Sequence, residues 1–199
     1  PSEYAEFMTL AAMRLRDRFG ISPDSLEIIL EPDNGDGWSP TAVGRAIVAA
    51  KSRLAAAGIN PKIIAPSTSS AGGTAGFLDG IATISGASSA INTVSYHRYD
   101  GAAADQSLAT IRQRAASLGA DTAMLEYVQA TIQNFFKDMA FGGATAWQAY
   151  AAARKGDAAS ATSAYGAVLW QSPGGTLALT SQYSQIGLIQ RNILPGARA

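Results

Sequence analysis

The feature that most limits the fold is a recurrence. Short apolar runs alternate with longer stretches of helical spacing, at a period of about thirty residues, the length of a βα unit. Leu26, Ile28, Ile29 and Leu30 make the first run, within 25–30, and Ser39-Pro40 then opens a helix over 40–57 as a cap followed by proline. Further strands are predicted at 62–65, 91–97, 122–125 and 144–148, with helices at 72–84, 105–118 and 127–140 between them. The units share little sequence identity, so the periodicity is structural. Strands that alternate with helices specify an α/β chain with a mostly parallel sheet and helices packed outside.

The recurrence has a preface and a coda. Tyr4, Phe7, Met8, Ala11, Leu15 and Phe19 follow helical spacing, and Gly20 stands where such a helix stops. After Tyr150 a polar, Ala-rich stretch leads to two short strands, 167–171 and 176–179, around Ser172-Pro173-Gly174-Gly175, which reads as a hairpin inserted late in the chain. A last helix over 181–193 stops at Pro195-Gly196. No low-complexity linker divides 1–199, so a single domain is expected. The start at Pro1-Ser2-Glu3, without a strand or an initiator Met, is expected of a chain whose leader has been removed or of a piece of something longer, and the βα pattern favours the second.

Composition narrows the chemistry. Fifteen basic residues balance fifteen acidic ones, which leaves no net field to draw nucleic acid or an anionic membrane. There is no apolar run of about eighteen residues, so no spanning helix is expected. With no Cys and one His, neither disulfides nor a thiolate metal site can form, and zinc would have to rely on carboxylates. No metal or cofactor is expected. The loop Asp33-Asn34-Gly35-Asp36-Gly37 lacks EF-hand spacing and reads as a turn. The stretch from Ser69 to Gly76 lacks the Gly-Lys-Ser/Thr ending of a phosphate loop.

In a parallel βα array, functional side chains gather where strands end and loops lead toward helices. Glu31 follows the first apolar run, and Glu126 follows Ala123-Met124-Leu125. Taken singly, each suits a loop cap or a surface ion pair; their matching positions, three βα units apart, favour a shared role. Pro32 is expected to push Glu31 into extended backbone, in line with its strand. Glycosidic cleavage calls for two such groups: one protonates the leaving oxygen, and the other attacks the anomeric carbon or activates water. His97, Tyr99, Trp38 and Trp147 are the candidates to line the site. For His97 the alternative is a buried hydrogen-bonding role; for the tryptophans it is loop or core packing.

These motifs, in this order, resemble the clan A retaining glycoside hydrolases. Leu30-Glu31-Pro32-Asp33-Asn34 is similar to the end of their fourth barrel strand, which bears the acid/base. Met124-Leu125-Glu126-Tyr127 is similar to the seventh, which bears the nucleophile. Tyr96-His97-Arg98-Tyr99 resembles the sixth, where one aromatic or His contacts the nucleophile or the sugar, and Trp147-Gln148 the eighth, whose Trp floors the sugar site. The ending from Gln185 to Ala197 is similar to the last barrel helix of family 30. The resemblance implies a partial TIM barrel, strands four to eight, with a carbohydrate substrate and a secreted or periplasmic location. Leu30 stands where most of the clan has Asn, and the first three βα units and the β-sandwich have no counterpart here.

Five strands cannot close an eight-stranded barrel. The open edges predict a homo-oligomer that covers them. The alternative function is a truncated, non-catalytic barrel fragment that self-associates or binds carbohydrate.

Overall fold

The computed structural model describes residues 1–34, 37–155, 167–172 and 174–197. Within these, β1 (Ser25–Glu27), β2 (Lys62–Thr68), β3 (Ile91–His97), β4 (Asp121–Glu126) and β5 (Ala144–Trp147) form one sheet in sequential order. Every neighbouring pair is parallel. Helices α1 (Ser2–Phe19), α2 (Pro40–Ala56), α3 (Ala71–Ala82), α4 (Leu108–Leu118) and α5 (Ile132–Ala140) precede, connect or follow these strands. A parallel connection requires such a crossover. The expected α/β architecture is what the chain adopts.

Local chemistry sets the element ends. Gly20 and Gly119 take left-handed backbone, φ +67° and +66°, and stop α1 and α4. The Ser39 hydroxyl accepts the Ala42 N–H at the start of α2, with Pro40 in the first turn. Ile47, Leu54, Ile63, Ile81, Leu108, Ile111 and Met124 are fully enclosed between sheet and helices. Each contributes about 1.5–3 kcal/mol by leaving water.

Some predicted bounds move. The first strand is shorter than 25–30, although the Ile28 N–H still bonds the Ile64 carbonyl. The predicted helix over 127–140 starts only at Ile132, where the Thr131 side chain caps it. The predicted helix over 105–118 begins as a 3₁₀ segment, Gly101–Gln106. Beyond Tyr150, β7 (Ala167–Gln171) and β8 (Leu177–Leu179) pair antiparallel as the expected hairpin. Its turn includes Pro173, which lies outside the described residues, as do Gly35 and Asp36 of the earlier loop. One strand was not foreseen: β6 (Ala151–Lys155) pairs parallel with β7. Helix α6 (Ser181–Asn192) then returns to the barrel sheet. There the Gln182 amide donates to the Val128 carbonyl and the Gln185 side chain accepts the Ile132 N–H.

The sheet has one covered and one open face. Helices cover Ile63, Val94 and Met124; Ile64, Thr93 and Leu125 face a cavity of about 720 Å³ that also borders Ser25, Lys62 and Gln148. In a closed barrel, side chains from opposite strands fill this space. Among the described residues β1 and β5 are free edges, and the space stays open. Among the described residues no helix is long and apolar enough to cross a membrane.

Candidate active site

Glu31 and Glu126 meet at the carboxyl ends of β1 and β4. One carboxylate oxygen of each, with a ring nitrogen of His97, lies within 4.8 Å of the others. Two local irregularities bring them there. In the pairing of β3 with β4, Tyr96 faces Met124 but His97 faces Glu126, so Leu125 is an extra residue. A bulge of this kind re-aims a side chain. Leu125 faces the open cavity, and Glu126, next along, is turned to the same side as His97. At β1 the expectation of extended backbone for Glu31 is corrected: its φ is +44°. The strand has ended by then, and the Glu31 N–H bonds the carbonyl of Ser67, itself at φ +51°. Side-chain-bearing residues enter this region at a cost of about 1–3 kcal/mol, which the surrounding structure must offset.

Hydrogen bonds then fix each carboxylate. His97 Nδ1 lies 2.7 Å from Glu31 Oε1, and the Asn34 amide donates to Glu31 Oε2 at 2.8 Å. The Tyr99 hydroxyl donates to Glu126 Oε1 at 2.7 Å, and His97 Nδ1 is 4.0 Å from the same oxygen. An ionised carboxylate only accepts, so an ionised Glu31 places a proton on Nδ1. The ring of His97 is wholly buried. Burial, followed by the bond to Glu126 and the nearby charges, raises the Tyr99 phenol above its ordinary range, so it stays a donor. The same trio offers the closest approach to a metal-ligand set among the described residues, but Nδ1 is already engaged with Glu31.

The other candidates separate. Tyr99 stands at the rim, with its ring edge-to-face against His97 and Tyr127, each 6.0 Å away. Trp38 packs against Tyr4 of α1 at 5.1 Å and joins the edge of the core; it makes no hydrogen bond or ring contact with the carboxylate centre. Trp147 donates its indole N–H to Asp138 of α5 and packs on Phe135, so its ring lies on the helix side of the sheet. For both tryptophans, packing decides the position. Leu30 is 58% exposed and bonds neither glutamate.

Four participants escape a reading of the sequence alone. Asn34 belongs to a loop that looks like a generic turn. Tyr150, close enough to Tyr99 for the two phenols to repel once both ionise, follows the last barrel strand without a motif of its own. Asp33 accepts the N–H and the hydroxyl of Ser69, and Asp100 accepts the Ala71 and Gly72 N–H groups at the start of α3. The Gly-rich start of α3 thus holds the protein's own carboxylate. The signal that could have found these braces is position, since Asp33 and Asp100 each stand just past the end of a strand.

The fold is a partial (β/α) barrel of the kind found in glycoside hydrolase domains. The catalytic domain of GH30 xylanase C from Talaromyces cellulolyticus superposes with a TM-score of 0.73 at 12% identity, over 98% of this chain and 46% of that one. SrfJ from Salmonella typhimurium gives 0.75 at 16% identity, over 98% and 48%. A monomeric beta-xylosidase from Caulobacter crescentus CB15 gives 0.59 at 12%, over 86% and 43%. The chain thus spans about half the length of these structures. No family model matches the sequence, and no curated protein does.

Proposed function

We propose that the chain forms the carboxylate-bearing part of a retaining β-glycosidase, with Glu126 as nucleophile and Glu31 as acid/base. One observation carries the reading: two glutamates, 95 positions apart in the sequence, present oxygens within 4.8 Å at one barrel mouth. Retaining enzymes hold their carboxyl groups about 5–5.5 Å apart, whereas inverting ones need roughly 6.5–9.5 Å to seat a water between them. The close spacing supports double displacement.

In the first step a Glu126 oxygen bonds the anomeric carbon while Glu31 gives its proton to the departing oxygen. In the second, Glu31 takes a proton from water, the water oxygen bonds the same carbon, and the Glu126 ester is released. Tyr99 donates to Glu126 and so orients it. His97, beside both glutamates, keeps Glu31 oriented. The barrel similarity to xylanase and xylosidase domains supports a carbohydrate substrate.

The test is a panel of aryl β-glycosides, with wild-type chain beside Glu31→Ala and Glu126→Ala. The reading predicts turnover that falls about 10²–10⁴-fold in each variant. Absence of turnover in a folded wild-type chain would favour the second reading, a non-catalytic barrel fragment that self-associates. The open β1 and β5 edges are the observation behind that alternative.

A further inference from the structure

Asp138 is the one fully buried carboxylate among the described residues, and the reaction proposed above does not use it. It sits on α5, on the helix side of the sheet, and gathers three donors. The Tyr96 hydroxyl and Arg98 Nη1 reach its Oδ1 at 2.9 and 2.6 Å, and the Trp147 indole reaches its Oδ2 at 2.9 Å. Arg98 is 1% exposed and also holds Asp105, which binds Lys137 next to Asp138.

The donors at the end of β3 and just past it alternate with the catalytic contacts. Along residues 96 to 99 the side chains alternate: Tyr96 to Asp138, His97 to Glu31, Arg98 to Asp138, Tyr99 to Glu126. Strand β3 ends at His97, but the alternation of its side chains carries on through Arg98 and Tyr99, so whatever fixes 96 and 98 constrains the aim of 97 and 99. A buried ion pair that cannot exchange its partner for water is a firm anchor, because leaving either charge alone is costly. We propose that Asp138 is a positioning residue. By clamping Tyr96 and Arg98 from outside the barrel, it sets where His97 Nδ1 and the Tyr99 hydroxyl stand, and hence how the two glutamates are held. Its bearing on turnover rests on the glycosidase reading; the clamp itself does not.

His97 is the only histidine, so its ring nitrogens give a single-residue NMR reporter that needs no substrate. The groups facing it are Glu31, Glu126 and Tyr99. Three variants apply: Asp138→Asn, which removes the charge; Trp147→Phe, which removes one donor and keeps a smaller aromatic ring; and the core control Ile111→Val. Circular dichroism and Tm establish that each is folded. The expected result is displaced His97 ring ¹⁵N and ¹H signals, with an altered His97 titration, in Asp138→Asn and Trp147→Phe. Ile111→Val should lower Tm and leave those signals in place.

On any glycoside the wild type hydrolyses, kcat should fall about ten- to a hundredfold in Asp138→Asn with KM little changed. If Asp138→Asn does not fold, Trp147→Phe decides. His97 signals that superimpose on wild type in the folded network variants would overturn the proposal, whatever the activity. Displaced signals in a chain that turns over no glycoside would uphold the clamp and remove the glycosidase reading instead.

Discussion

Glu31 combines a backbone conformation that side-chain-bearing residues seldom adopt with two hydrogen-bonded oxygens, one to His97 and one to Asn34. Glu126 is held differently, by the Tyr99 hydroxyl. A hydrogen bond to a charged acceptor is worth about 1.5–3 kcal/mol. Tyr99→Phe should therefore lower kcat/KM by roughly ten- to a hundredfold, as steady-state kinetics on an aryl β-glycoside would reveal. Because the folded phenol is raised above its unfolded value, its stabilising contribution is fully present below pH ~10 and is lost only as pH rises through the folded value. An alkaline decline between pH 7 and 9 thus has another origin, and Tyr99→Phe should keep it. At this scale the sequence disclosed the glutamates, because each ends an apolar run. It also left open whether His97 or Tyr99 would bond Glu126; the phenol does so, and His97 bonds Glu31. The tryptophans were not legible, since which face a ring takes depends on partners such as Asp138 and Tyr4 that lie distant in sequence.

Helix α3 illustrates how element packing departs from propensity. A methyl added at Gly80 would overlap Pro40 of α2, with Pro40 Cγ 3.0 Å away, whereas one at Gly76 would meet nothing within 4 Å. Replacing a helix-interior glycine by alanine gains about 0.8–1.0 kcal/mol from propensity, while overpacking costs about 1–3 kcal/mol. Gly76→Ala should raise Tm and Gly80→Ala should lower it, in thermal melts of otherwise identical chains. Strand and helix order was readable because periodicity and caps are local: Ser39-Pro40, Gly20 and Gly119 act where the sequence places them. The bulge at Leu125 was not, since register depends on the neighbouring strand. Strand β6 was missed for a related reason. Its Ala-rich residues carry no alternation, and only pairing with β7 makes them a strand.

At the scale of the whole molecule, the five-stranded sheet is open among the described residues. Among these, β1 and β5 each lack an outer neighbour, the concave face borders a cavity of about 720 Å³, and α1 exposes Phe7, Leu10 and Phe19 at 57–65%. Apolar surface of this extent favours association. We propose that copies of the chain cover it: light scattering should give a mass above the monomer, reduced by Phe7→Glu with Leu10→Glu, and a monodisperse wild-type monomer would contradict this. The central claim concerns what the barrel mouth does. The most direct measurement is mass spectrometry after exposure to a series of activated 2-deoxy-2-fluoro-β-glycosides, which stall a retaining enzyme at its covalent intermediate. The account predicts one glycosyl adduct, mapped to Glu126 and absent from Glu126→Ala; an adduct mapped to another residue, or a folded chain that no member of the series labels, would contradict it.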